Sequence, residues 1–183
     1  MRTRADGTPQ TTLDIIRDII VKEMSLEDDR AMIFNQAWKI PTYDGLFVLV
    51  DSKGSPKVLS NRNTQEMIGG VYTEVQLINT QEIVAINIFS RNQEAELRKE
   101  EVLMAINSLY AQASQEVNGF KIARISPIEN LSALEGAAML TRYEISLVVF
   151  AWTRKAKTAA FYDSFTGQVK TEQITKNFVQ NTV

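Results

Sequence analysis

The chain contains no cysteine and no histidine. Their absence excludes disulfides, thiolate and imidazole zinc sites, Ser-His-Asp triads and imidazole acid–base chemistry. Catalysis would have to rest on carboxylates, Lys, Tyr, Ser or Thr, and a metal would have to be a hard cation held by oxygen. No apolar run approaches the ~20 residues that span a bilayer; the longest is broken by Arg142 and Glu144. The opening residues MRTRADGTPQ hold no apolar signal core, so synthesis in a cytosol is expected. A phosphate-binding glycine loop is missing as well, because IGGVY matches neither the GxGxxG nor the Walker pattern. Nor is there an excess of positive charge. The formal net charge of -2 over 183 residues argues against a whole-surface attraction to nucleic acid.

What is present suits one folded domain. Hydrophobic residues make up 44% and charged residues 23%, enough to bury a core. The expected organisation is a polar N-terminal arm over 1–9, one domain over 10–165 and a polar tail over 166–183. Thr11 or Thr12 caps a first helix with Leu13, Ile16, Ile20 and Met24 at helical spacing, ending near residue 28. IFNQAWKIPTYDG (33–45) reads as a loop, since Pro41 and Asp44-Gly45 forbid a long element. LFVLVD (46–51) reads as a buried strand, and SKGSP as a turn that brings KVLSNRN back beside it.

Residues 71–89 alternate, but the phase changes. Val71, Thr73, Val75 and Leu77 share one side; Val84, Ile86 and Ile88 share another. The pattern predicts a hairpin turning near Asn79–Gln81, with one long bulged strand as the alternative. A helix over 92–117, about 39 Å long at ~1.5 Å per residue, follows from Ser90 or Asn92 as cap and Val102, Ile106, Leu109 and Ala113 as stripe, and Asn118-Gly119 stops it. FKIARIS (120–126) and MLTRYEISLVVFAW (139–152) are strands, PIENLSALEGAA a loop or helical turn, and AAFYDSF (159–165) a last strand. Helix, strands, helix, strands implies an α+β domain: a mainly antiparallel sheet with two helices packed on one face.

Candidate sites are few. Glu94, Glu96, Glu100 and Glu101 stand with Arg98 and Lys99 on the long helix. Their i,i+3 and i,i+4 spacing reads as a solvated, self-paired face in place of a metal or catalytic cluster. Asp51, Glu74 and Glu82 with Lys57 could be imagined as a nuclease set, but edge and turn charges that discourage aggregation explain them as well. Lys53, Lys57 and Arg62 form a basic hairpin, and Arg154, Lys155 and Lys157 a second basic cluster beside Trp152. The two clusters are small and separated for a nucleic-acid surface.

The run EIVAINIFSRNQEAELRKEEVLMAINSLYAQASQEVNGFKIARI, followed by LEGAAMLTRYEISLVVFAW, resembles the neck or tail terminator family of tailed bacteriophages. The strand DGLFVLVD and the loop FNQ extend the resemblance, which covers roughly residues 33–165; residues 52–70 and both ends have no counterpart. It implies a structural virion protein, not an enzyme. Such proteins form homo-oligomeric rings, usually hexamers, that cap the tail tube and join it to the head connector while DNA passes through the channel. The expected partners are further copies of the chain, a head–tail connector or adaptor, the tail tube protein and DNA in transit, with no cofactor and no membrane. Lys53, Lys57, Arg62, Glu96, Arg98, Lys99 and Glu100 are the candidate partner-interface residues. Another head–tail connector or adaptor is the main alternative, and a carboxylate metal-dependent nuclease a remote one.

Overall fold

The computed structural model describes residues 10–34, 42–135 and 138–158. The expected N-terminal arm, most of the aromatic loop, the strand at 159–165 and the tail at 166–183 lie outside the described residues.

The first helix, α1 (Thr12–Glu23), starts on a capping box. Thr11 Oγ1 accepts from the Asp14 amide at 3.2 Å, and Asp14 accepts from the Thr11 amide at 2.7 Å. Ile15, Ile16, Ile19 and Ile20 form its buried stripe. The helix ends at Met24, short of residue 28. Ser25 adopts a left-handed φ of 51°, and the Leu26 amide donates to the Val21 carbonyl at 2.9 Å. This is a Schellman stop built on serine, where glycine is the usual signal. A 3-10 turn, Asp28–Arg30, then leads into a short strand, β1 (Ala31–Ile33), for which the sequence pattern carries no signal.

The remaining strands are β2 (Phe47–Ser52), β3 (Lys57–Ile68), β4 (Val71–Ser90), β5 (Phe120–Ile125), β6 (Glu129–Asn130), β7 (Ala133–Glu135) and β8 (Ala138–Thr158). The sheet runs β1-β2-β4-β8-β5, with β3 beside β4 and β6 and β7 beside β8; only the β1–β2 pairing is parallel. The expected mixed α+β class with a mainly antiparallel sheet is therefore observed.

Two expectations about connections are corrected. No hairpin forms at Asn79–Gln81, because β4 is one strand of 20 residues. The hairpin lies at Gly69-Gly70, whose φ values of 59° and 80° suit the two-residue turn that joins Ile68 to Val71. SKGSP does not fold β3 back on β2 either. β2 pairs with residues 84–89 of β4 and β3 continues in the same direction along residues 71–81, so residues 53–56 are an excursion in one interrupted edge. The Lys53 amide still donates to the Ile83 carbonyl at 2.8 Å, which keeps the ladder in step.

The expected single helix over 92–117 is two helices, α2 (Glu94–Asn107) and α3 (Leu109–Asn118). Ser108 separates them with ψ of 159°, and its hydroxyl caps α3 by accepting from the Ala111 amide at 3.0 Å. The helices cover the sheet face that carries Val48, Val50, Val84, Ile86, Ile88, Tyr143, Ile145, Leu147 and Val149. Ala95, Val102, Ala105, Ile106 and Ala111 complete this core. On the opposite face Phe47 stacks on Phe89 with ring centroids 4.9 Å apart, beside Leu49 and Leu140. None of the described helices is long and apolar enough to cross a membrane.

Candidate assembly interface

The charged cluster at the start of α2 is mostly spent inside the chain. The first free amides of the helix are met from the preceding turn: Asn92 Oδ1 accepts from Glu94 at 2.8 Å and Ser90 Oγ from Ala95 at 2.9 Å. Glu94 turns back to accept from the Leu46 amide at 2.8 Å. Arg98 donates to Glu101 at 2.7 Å and reaches the Met24 carbonyl at 3.1 Å, where it caps the end of α1. The Glu101 carboxylate holds the Arg98 guanidinium above its ordinary pKa, so this clasp stays charged. Lys99 pairs with Glu96 at 2.6 Å and lies 4.5 Å from the centre of the Tyr143 ring. Of the interface candidates on this helix, Glu100 points outward without an ion pair among the described residues, and Glu96 is exposed but engaged by Lys99.

Lys53 does not belong to a basic hairpin. Its ammonium forms an ion pair with Glu144, whose side chain is only 9% exposed, and lies 3.4 Å from Ser146 Oγ. Arg142 stands on the other side of the same carboxylate at 4.0 Å and donates to Asn87 Oδ1 at 2.8 Å. Lys53 is thus the counter-charge of a buried glutamate on the helix-free face.

Lys57 and Arg62 sit on β3, exposed along with almost all of that strand. With residues 71–82 of β4 and 149–158 of β8, β3 makes a three-stranded arm beyond the helices. The arm carries both basic clusters but divides them between its faces: Lys155 and Lys157, opposite Gln76 and Glu74, lie on the face away from Arg62. Arg62 and Arg154 both flank Leu77 across the sheet, and so share one face. Arg154 lies 3.6 Å from Glu66, and Lys157 3.0 Å from Glu74. Lys157 and Gln76 together hold the Glu74 carboxyl below its ordinary pKa. Lys57, Arg62 and Lys155 have no ion pair among the described residues. Beside Trp152 a hollow of about 350 Å³ is lined by Asn79, Phe120, Lys121 and Phe150. The buried Asn79 Oδ1 accepts no hydrogen bond among the described residues, leaving an acceptor for water or a docked group.

Among the exposed apolar side chains of the described residues, two groups stand out. At the arm tip Met67, Ile68 and Val71 surround the glycine turn; on the outer side of α2 and α3 Leu97, Met104, Leu109 and Val117 face solvent. The break at Ser108 explains the part of the second group that lies on α3. It resets the helical phase, so Leu109, expected in the buried stripe, emerges on the outside, as does Val117, and Ala111 takes the inner position. Neither patch follows from the sequence reading. A capping serine inside the helical run is the signal for one, and Gly-Gly between two alternating runs the signal for the other.

The imagined carboxylate set is not brought together. Glu74 and Glu82 are eight residues apart on a straight strand, about 27 Å at ~3.4 Å per residue, and Asp51 lies on the opposite face. Among the described residues no group of three or more Asp and Glu could hold a metal ion. Compared with known proteins, the chain matches no family model and no curated sequence.

Proposed function

We propose that this protein is a structural component of a tailed-phage virion, made in the host cytoplasm and installed at the neck. There it forms a ring, six copies in the likeness of the terminator family, that caps the tail tube and joins it to the head connector. The observation that carries the reading is the arm. A small domain that extends a three-stranded ribbon with an exposed outer strand and an apolar tip, and shows further exposed apolar side chains on its helices, has surfaces suited to neighbours. The resemblance of residues 33–165 to neck and tail terminators supports the same reading, as does the α+β class. Under it the channel passes DNA without sequence-specific binding, and the exposed Lys57 and Arg62 meet protein.

Mass photometry and negative-stain electron microscopy of the purified chain test this directly. A closed ring in solution, or the protein located at the head–tail junction of a particle, is the expected result. A chain that stays monomeric at high concentration and is absent from that junction is not a terminator.

A further inference from the structure

The sheet face turned away from the helices collects cations that are scattered along the sequence. Val84, Ile86 and Ile88 point to the helices, so Leu77, Asn79, Gln81 and Ile83 of the same strand point away from them. Residues opposite one another in a ladder share a side. Arg62 and Arg154 stand opposite Leu77, Trp152 opposite Asn79, Lys57 and Phe150 opposite Gln81, and Val148 opposite Ile83. On the edge strand β5, Lys121 stands opposite Phe150 and Arg124 opposite Val148. No acidic residue occupies a register position in this stretch; Glu66 and Asp51 lie beyond its two ends, opposite Thr73 and Ala85. Glu82 is on the helix side, where it accepts from Ser52 Oγ at 2.7 Å. Arg154 reaches Glu66 at 3.6 Å, whereas Lys57, Arg62, Lys121 and Arg124 have no ion pair among the described residues. In the middle stands Trp152, 52% exposed, beside the hollow lined by Asn79, Lys121 and Phe150, with Glu116 of α3 as the one acid on its wall.

We propose that this face binds a single strand of nucleic acid, with a base stacked on Trp152 and phosphates on Arg154, Lys121 and Arg124. The half-exposed indole offers an apolar plane that any unpaired base can cover. A duplex keeps its base faces stacked on one another and has none to offer. The cations lie on both sides of the indole along the strands. The rows of Leu77 and Ile83 are six residues apart, about 20 Å at ~3.4 Å per residue, so a strand can run over Trp152 and meet charge before and after it. The unmet acceptor of Asn79, directly opposite Trp152, suits the amino group of a stacked base. An acidic peptide would answer the cations but leave the indole without a planar partner. The net charge of -2 is no obstacle, because charges beyond about 10 Å are screened and a strand meets the local face. Lys57 and Arg62, further out on β3, border the track and stay open to the protein contact of the ring reading. The proposal is independent of that reading, since the whole face belongs to one copy.

Fluorescence anisotropy of labelled oligocytidylates of about twelve nucleotides, one DNA and one RNA, tests this at low salt. Binding of either is expected, and the tighter of the two names the strand. The logarithm of the binding constant should fall against the logarithm of salt with a slope of about -2, for three phosphate contacts. The chain holds two tryptophans, so Trp38→Phe leaves Trp152 as the only one, and its emission should be quenched on binding. Trp152→Ala should weaken binding about tenfold with the slope unchanged. Lys121→Ala with Arg124→Ala should weaken it and flatten the slope by about 1.4. Lys155→Ala, on the other face, should change neither. The quenching needs no substitution on the face, so it decides even where a variant fails to fold. Absence of binding, unchanged Trp152 emission, a DNA hairpin bound as tightly as the single strand, or an equal loss with Lys155→Ala overturns the proposal. So does a polyglutamate peptide of the same charge that displaces the strand at equal concentration, which would mark the face as a dock for acidic protein. Mass photometry without nucleic acid scores the ring separately, so either reading can fail while the other stands.

Discussion

The break at Ser108 can be tested with two substitutions three residues apart. An unbroken helix over 92–117 would bury Ile106 and Leu109 on one stripe, and truncating either would then cost a similar amount. Here Ile106 is 2% exposed and Leu109 83%. Ile106→Ala removes three carbons from the core between the helices and β4 and β8. At ~0.8 kcal/mol per buried methylene, plus a cavity that closes only in part, the loss is about 3 kcal/mol. Leu109→Ala removes atoms already in water, and alanine is the better helix former, so the change should stay within about 0.5 kcal/mol. Urea unfolding followed by circular dichroism reads both, at a concentration low enough to keep the chain monomeric, since assembly would add its own stabilisation. Midpoints that shift together, with Leu109→Ala costing above about 2 kcal/mol, would refute the two-helix arrangement and with it the outward stripe.

Three further outcomes are expected. Lys53→Ala strips the buried Glu144 of its nearer counter-charge and should destabilise the chain by about 1–3 kcal/mol, the half-exposed lysine and nearby Arg142 moderating the loss; Glu144→Gln in the same chain should recover most of it in thermal melts. Gly70→Ala, at a φ of 80°, should cost about 1 kcal/mol or more and raise hydrogen exchange at the arm tip while leaving the helices unchanged. The Glu74 carboxyl, with its pKa lowered by Lys157 and Gln76 from the ordinary 4.5, contributes stability that is present above that value and lost as pH falls through the folded pKa. Hydrogen exchange of residues 73–76 should therefore speed up on the acid side in the native chain, and Glu74→Gln should flatten that dependence.

Where side-chain period and burial agree, the elements are legible in the sequence. The isoleucines of α1 and the apolar runs of β2, β5 and β8 have one physical reading each, and the structure contains them. The failures have identifiable causes. In β4 the buried positions pass from odd residues such as Val75 to even ones such as Val84, because the strand leaves one environment and enters another. A change of phase looks the same as a turn when only the alternation is read. IGG, tested against phosphate-loop patterns, is instead the hairpin turn. α1 stops on Ser25 in a conformation normally announced by glycine, and β1, three residues long, is too short to show a period. Spacing along α2 reveals that its charged cluster is self-paired, but its long-range partners, the Leu46 amide and the Met24 carbonyl, leave no trace in the spacing within a helix. The place of Lys53 is hidden for the same reason: its partner Glu144 is 91 positions away, on a strand brought alongside only by β4.

The arm and the core share β4 and β8 without a seam. Hydrogen bonding continues in a single register from Ser90 opposite Thr141 to Thr73 opposite Thr158. A loop-tethered hairpin would swing; this ribbon behaves as a beam whose free end is aimed by the coil of the sheet at its root. Because strands twist with a fixed hand, each residue of added length both carries the tip outward and rotates it about the beam's axis. The direction in which the tip faces is then written in strand length. Inserting a residue pair into each of the three strands would keep every side chain on its face and still aim the tip in a different direction.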